Sequence, residues 1–310
     1  MKIHYSVESL PPHVKTIVTV GTFDGVHLGH ATILNAMQER ARLSGGQTVV
    51  LSFDPHPKKV LFPDSDPLPQ IQSLEEKILC LDRCGVDHFV ILPFTLDMSR
   101  LTAEQYVNMI LVEGLHADCV FMGYDHRFGK NRVGDIQLMR SLGEIHNFEV
   151  VQIEAYAPND IPVSSTKIRS ALHEGNVAVA NQMLGRPFAL GGEVIHGQQL
   201  GRTIGFPTAN IAVGGTDKLI PKIGVYAAST IIEGIRYSVA LNIGYRPTID
   251  GSIGLHIEAH IIDFNSDLYG KHINLDLHER IRDEKKMNGL DALKSQLLQD
   301  VQWVRDYFSA

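Results

Sequence analysis

Cysteine is scarce in this 310-residue chain: there are three, Cys80, Cys84 and Cys119, all in the first half. Neither their number nor the Cys80/Cys84 spacing builds a disulfide framework or a complete zinc set, so a reducing compartment and a cytoplasmic location are expected. Positive charge is also short. Lys plus Arg number 28 against 35 Asp plus Glu, a net charge of −7. That excludes the overall basic footprint that drives binding to a phosphate backbone, and no nucleic-acid partner is expected. No apolar run approaches the roughly 18 residues needed to span a bilayer. The opening MKIHYSVESLPP has no apolar signal core, so no membrane partner is expected either. What remains is a 44% hydrophobic, 20% charged composition with 27 Gly and 14 Pro, that of an ordinary globular protein. The length suits two domains better than one.

Along the first half, short β-branched runs alternate with helical patterns, which predicts parallel strands joined by helical crossovers. Strands are expected at 14–20, 47–53, 87–92, 118–122 and 148–153. A helix over 29–43 would present Ile33, Leu34, Met37 and Ala41, and two more helices are expected at 165–173 and 177–184. The texture changes after about residue 186. Short alternating runs at 190–196, 224–232, 237–243 and 255–262, separated by Gly, Pro, Asn and Asp, predict an antiparallel barrel or sandwich. Finally Leu290, Leu293, Leu297, Val301, Val304 and Phe308 recur by threes and fours, a C-terminal helix expected to pack on the barrel. Domains are therefore expected at 1–186 and 187–310.

The most informative stretch of the first half is GTFDGVHLGH at 21–30, placed between a strand and a helix. Small residues there let backbone N–H groups approach an anion, and the helix N-terminus adds positive potential. His27 and His30 can meet one charged group from a common face and stabilise charge developing on a phosphoryl group. Gly21, Phe23, Asp24, Gly25 and Gly29 frame them. By itself an HxxH also describes a Gly-rich connector with two surface histidines. In SSTKIRSAL, 164–172, Ser164, Ser165 or Thr166 can cap a helix while Lys167 and Arg169 add cations, which makes either a second phosphate site or an ordinary capped helix.

These strings resemble the HxGH and SSTxIR motifs of the α/β nucleotidyltransferases, a Rossmann-type parallel-sheet fold. Together with SFDPHP (52–57) and GYDHRFGKNRVGD (123–135), they resemble the adenylyltransferase half of bacterial bifunctional riboflavin kinase/FAD synthetases. The resemblance implies that His27 and His30 contact the ATP phosphates, that Asp125 contacts nucleotide or flavin, and that Ser165, Thr166 and Arg169 contact phosphate. Gly21, Phe23 and Gly25 would complete the cradle. His126 departs from the family, where Phe is most frequent.

In the second half, GRTIGFPTAN (201–210) places Thr208 and Asn210 on one side of an extended segment, offering oxygens to a hard cation or phosphate, with Gly201 and Gly205 permitting tight backbone. A polar β-turn reads the same way. In GLHIEAHIID (254–263), Leu255, Ile257, Ala259 and Ile261 alternate with His256, Glu258 and His260, so the three polar side chains share one strand face. Adjacent pleats lie about 7 Å apart, too far for three ligands to share one ion without strain. A solvated face or a general base at Glu258 remains. The string 201–210 resembles the PTAN signature of riboflavin kinases, which implies that Thr208 and Asn210 hold Mg²⁺ and ATP and that Glu258 acts as base toward the ribityl hydroxyl. NIGYRPT (242–248), DFNSDLYG (263–270) and the charged run 280–300 fit the same family, with Arg282 on the flavin side and Met287 where Phe is usual. The implied activities are ATP-dependent phosphorylation of riboflavin to FMN and adenylylation of FMN to FAD, with Mg²⁺ and small-molecule partners only. Two other readings stay open: an FMN adenylyltransferase with a non-catalytic flavin-binding barrel, and the similar HIGH motif of class I aminoacyl-tRNA synthetases. Against the latter, the chain is short and acidic and shows no anticodon-binding segment.

Overall fold

The computed structural model describes residues 1–11, 15–66, 68–197, 201, 204–214, 217–247 and 253–309. Val14, Arg202, Thr203 and Thr248 of the quoted strings lie outside the described residues. By contacts the chain divides into two compact units, Met1–Ser165 and Thr166–Ala310.

The first unit is built on β1 (Lys2–His4), β2 (Thr16–Val20), β3 (Gln47–Phe53), β4 (His88–Leu92), β5 (Ala117–Gly123) and β6 (Glu149–Ile153), in the order β1-β4-β3-β2-β5-β6. Every pairing is parallel. The inner strands β2 to β5 are largely buried on both faces, which is why they read as continuous apolar runs rather than alternating ones. Ile17, Val50, Phe89 and Phe121 join one core with Leu34, Met37 and Ala41 of helix Leu28–Ser44. Val18, Leu51, Val90 and Val120 face the other way, into a core with Val107, Leu111 and Leu142. The expected strands and first helix are present. β1 is an addition, too short to show a period. The chain runs outward from β2 to β3 and β4, then resumes on the other side of β2 with β5. A sheet of this kind opens a crevice at the carboxyl end of such a switch strand. The segment leaving β2 there is the Gly-rich loop.

In the second unit β7 (Phe188–Ile195), β8 (Ala209–Val213), β9 (Gly224–Ile232), β10 (Ile235–Pro247), β11 (Ile253–Ile261) and β12 (His272–Arg282) close into a barrel, β10-β11-β8-β7-β12-β9. Its ladders are antiparallel. Val239, Leu241, Ile243, Ile257 and Leu277 fill one side of the barrel wall and are buried. On the opposite side Ala227, Ala240 and Ile262 receive Val304, Val301 and Phe308 of helix Leu290–Ser309, as its periodicity predicted. Leu290, read as part of that stripe, is instead exposed at the helix's first residue, and Leu293 and Leu297 are only partly buried. Residues 280–282, read with the loop and helix that follow, form the end of β12. The helices Ser165–Glu174 and Val177–Leu184 are tied to the barrel: the Leu172 carbonyl accepts from Lys222 N–H at 3.0 Å, and Asn181 Nδ2 donates to the Leu277 carbonyl at 2.9 Å.

Candidate active sites

After Val20 the backbone enters the left-handed region three times, at Phe23 (φ 46°), Gly25 (φ 91°) and Val26 (φ 36°). For Phe and Val this costs energy and persists only where the surroundings over-determine it, as at functional sites. Several ties do so. The Thr22 carbonyl accepts from Lys77 Nζ at 2.8 Å and from Ser52 Oγ at 3.2 Å. The buried Asp24 carboxylate accepts the Ile71 and Gln72 amides, each at 3.2 Å, and its carbonyl accepts Ser165 Oγ at 2.8 Å. Lys77 is only 8% exposed. Burial lowers the pKa of its ammonium, opposed by the negative charges of Asp24 and Asp54. Sequence reasoning missed Lys77 because one lysine on the amphipathic helix Leu74–Arg83 reads as a surface residue.

The loop ends at His27, the N-cap of helix Leu28–Ser44, and His30 is the helix's third residue. Each histidine's Nδ1 accepts the other's backbone N–H at 3.3 Å, a reciprocal capping box in which imidazoles replace the usual hydroxyl and carboxylate. The rings stack at 3.7 Å between centroids and 13° between planes, with Phe23 4.7 Å from His30. Accepting at Nδ1 puts the proton of each neutral ring on Nε2, the nitrogen able to donate to an anionic oxygen. The pairing predicted for His27 and His30 is thus present. Gly29 permits it: a Cβ there would lie 3.2 Å from two atoms of the His27 ring. Gly21 has a similar role, since its Cβ would sit 3.1 Å from the Phe23 ring.

Asp125 is exposed on the turn after β5, the strand beside β2, so it stands at the same carboxyl edge of the sheet. Its neighbour His126 is partly buried, and burial, aided by the charge of Arg132, pushes its pKa down to about 4. At neutral pH it is an uncharged aromatic ring. Ser165 opens helix Ser165–Glu174; Thr166 is exposed and Arg169 half-buried on that helix.

On the barrel, β8 and β11 pair Asn210 with Glu258, and β10 pairs Asn242 with the same Glu258. Directly opposed residues of an antiparallel ladder project to one face, so the carboxylate stands between two amides. His256 and His260 share that face, whereas Ile257, Ala259 and Ile261 are buried; Leu255, near the strand's start, is 40% exposed. Asn242 lay within a quoted motif without being singled out. Two glycines lie against these residues: a Cβ on Gly197 would collide with Asn210 Nδ2, and one on Gly201 would collide with the Phe206 carbonyl, 3.6 Å from Thr208 Oγ1. Thr208, Asn210 and Glu258 are hard oxygen donors around a cradle that side chains would fill, chemistry suited to Mg²⁺ and phosphate. Arg282 grips the buried Asp300 carboxylate with Nε at 2.8 Å and Nη2 at 2.6 Å.

A Gly-rich loop with paired imidazoles on a parallel sheet, and a carboxylate flanked by amides on a closed barrel, suit a transferase with one candidate site in each unit. Comparison with known proteins narrows this. Residues 10–167 match the family model for FAD synthetase and residues 184–308 that for riboflavin kinase. The bifunctional riboflavin kinase/FMN adenylyltransferase of Escherichia coli K12 is 36% identical over 99% of this chain and 98% of its own. Its Listeria monocytogenes counterpart is 38% identical over 96% and 93%. A crystal structure described as a macrolide-efflux protein from Streptococcus pneumoniae superposes with a TM-score of 0.88 at 29% identity, covering 98% of both chains. The chain belongs to the bifunctional riboflavin kinase/FMN adenylyltransferase family. Among the described residues no helix is long and apolar enough to cross a membrane.

Proposed function

We propose that residues 187–310 transfer the γ-phosphoryl group of ATP to riboflavin, giving FMN and ADP, and that residues 1–186 join FMN to the AMP moiety of a second ATP, giving FAD and pyrophosphate. The observation that carries the two-activity reading is the rung of Asn242, Glu258 and Asn210, which supplies a base and oxygen ligands where a purely flavin-binding barrel needs neither. Glu258 takes the proton of riboflavin's primary hydroxyl as that oxygen attacks the γ-phosphorus and the bond to the ADP oxygen breaks. Thr208 and Asn210 would hold Mg²⁺, which when bound would neutralise charge on the ATP phosphates. In the other half, an FMN phosphate oxygen attacks the α-phosphorus of ATP and the α–β bridge breaks. His27 and His30 donate from Nε2 to the oxygens on which charge develops. Ser165, Thr166 and Arg169 are proposed as phosphate contacts, and Gly21, Phe23, Gly25 and Asp125 as the nucleotide side. Pyrophosphate needs no acid to leave.

The test is a chromatographic time course with ATP, Mg²⁺ and either riboflavin or FMN. FMN followed by FAD in the first run, and FAD in the second, is expected. Riboflavin left untouched while FMN becomes FAD would reduce the barrel to a binding module. Glu258→Gln should abolish riboflavin phosphorylation and spare adenylylation, and His30→Ala should do the reverse. Loss of both activities from either folded variant would refute the division.

A further inference from the structure

We infer that His260 is a positioning residue for phosphoryl transfer on the barrel, acting on Thr208 through the carbonyl of Pro207. The inference rests on the reading of the barrel as the riboflavin kinase site. The ladder between β8 and β11 has its last rung at Ala209 and Ala259, and the chain before Ala209 is in no strand. One step further, where Thr208 and His260 would have been paired, the tie is made by a side chain instead: His260 Nδ1 donates to the Pro207 carbonyl at 2.8 Å. The Phe206 ring lies 5.4 Å from the His260 ring, edge-on at 62°.

The Gly201 carbonyl accepts Phe206 N–H at 2.8 Å and Ile204 N–H at 3.2 Å. Pro207 has a fixed φ and no N–H to offer. A free Pro207 carbonyl would leave the Pro207–Thr208 peptide plane able to swing, and with it the direction of Thr208 Oγ1. His260 fixes that plane. It also projects from the same strand face as Glu258, so one face of β11 carries both the proposed base and the clamp on the nucleotide loop. A carbonyl cannot donate, so Nδ1 carries the proton; protonation at Nε2 leaves the tie intact.

The variants separate the hydrogen bond from ring packing. His260→Phe keeps a ring against Phe206 and removes the donor; His260→Asn keeps an N–H donor and removes the ring. His260→Phe is expected to lower kcat for riboflavin phosphorylation by about 10-fold and to raise KM for Mg-ATP, since small misplacements of a positioning group cost on this scale. KM for riboflavin and the rate of FMN adenylylation should stay unchanged, and His260→Asn should recover most of the loss. A second readout does not depend on turnover: in calorimetric titration with Mg-ADP, one binding event should weaken in His260→Phe while any other holds. If wild-type protein phosphorylates riboflavin and His260→Phe matches it in kcat, KM and Mg-ADP binding, the inference is overturned and the kinase reading stands. If wild-type protein leaves riboflavin untouched, both fall. Should His260→Phe fail to fold, His260→Ala against His260→Asn carries the comparison, and equal losses in the two would overturn the inference.

Discussion

His126 should make the first unit sensitive to acid, and the sign and size follow from its environment. Burial first, and the Arg132 charge second, bring the imidazole from an ordinary 6.5 down to about 4 in the folded chain. Above pH 6.5 the ring is neutral whether folded or not and has no effect on the balance. As pH falls through 6.5 the unfolded chain takes up a proton that the folded chain refuses, so stability drops until pH 4, where both bind it. At 1.36 kcal/mol per pH unit the full loss is about 3.4 kcal/mol, of which ~2 kcal/mol is incurred between pH 7.5 and pH 5. His126→Phe removes the titration and keeps an aromatic ring, so its stability should fall ~2 kcal/mol less than wild type over that interval. Hydrogen exchange of amides in β3 and β5 reads this in the full chain, because the single tryptophan, Trp303, lies in the second unit. The Cε1 proton of His126, assigned by its absence from the variant's NMR spectrum, gives the titration directly. A folded-state midpoint near 6.5, or equal acid losses in the two proteins, would refute the reasoning.

Two further outcomes are expected. Gly29→Ala puts a Cβ 3.2 Å from His27 Nδ1 and Cε1, displacing the ring from its stack with His30. FMN adenylylation should fall about 10- to 100-fold, because sub-ångström errors in a charge-stabilising group are costly. Riboflavin phosphorylation should be unaffected, and stability should change by no more than ~1 kcal/mol, because the helix propensity gained from Ala offsets the strained His27 cap; an adenylylation rate within two-fold of wild type, roughly, would exclude a positional role for the stack. Asp300→Ala strands the Arg282 guanidinium, 18% exposed, without its bidentate partner. The barrel should lose about 3 kcal/mol or more, read by Trp303 fluorescence during denaturant unfolding. A loss within the ~0.5 kcal/mol typical of surface changes would show the pair to be solvated.

The parallel sheet was legible because its inner strands are largely buried on both faces, so runs such as QTVVLSF at 47–53 stand out from their polar surroundings, and β3 spans those residues. Four of the six barrel strands were read from short runs, β8 and β12 were not, and the span 224–232 recurs as β9, which is buried at every position but one rather than alternating. β12 was harder. Ile273, Leu275 and Leu277 alternate cleanly, but register shifts after Leu277 and Arg280 break the period. Arg282, at the end of that strand, is bonded to Asp300 on the terminal helix, a pairing between residues 18 positions apart that no local pattern announces.

The site residues divide in the same way. Spacing identifies what must sit together within one segment, so His27 with His30, and Thr208 with Asn210, were visible from their intervals. The groups that hold those pairs in place come from elsewhere in the chain. Lys77 reaches Thr22 across 55 positions, Ser165 reaches Asp24 across 141, and His260 reaches Pro207 across 53. In each case a side chain secures a main-chain carbonyl of the loop. A carbonyl is present at every residue, so nothing in the loop's own sequence signals which one is held. The motif therefore specifies which chemistry is possible, while the precision that chemistry needs depends on contacts that only the fold assembles. For this reason Gly29→Ala and His260→Phe, which leave every proposed proton donor and metal ligand in the chain, are expected to impair the two activities separately.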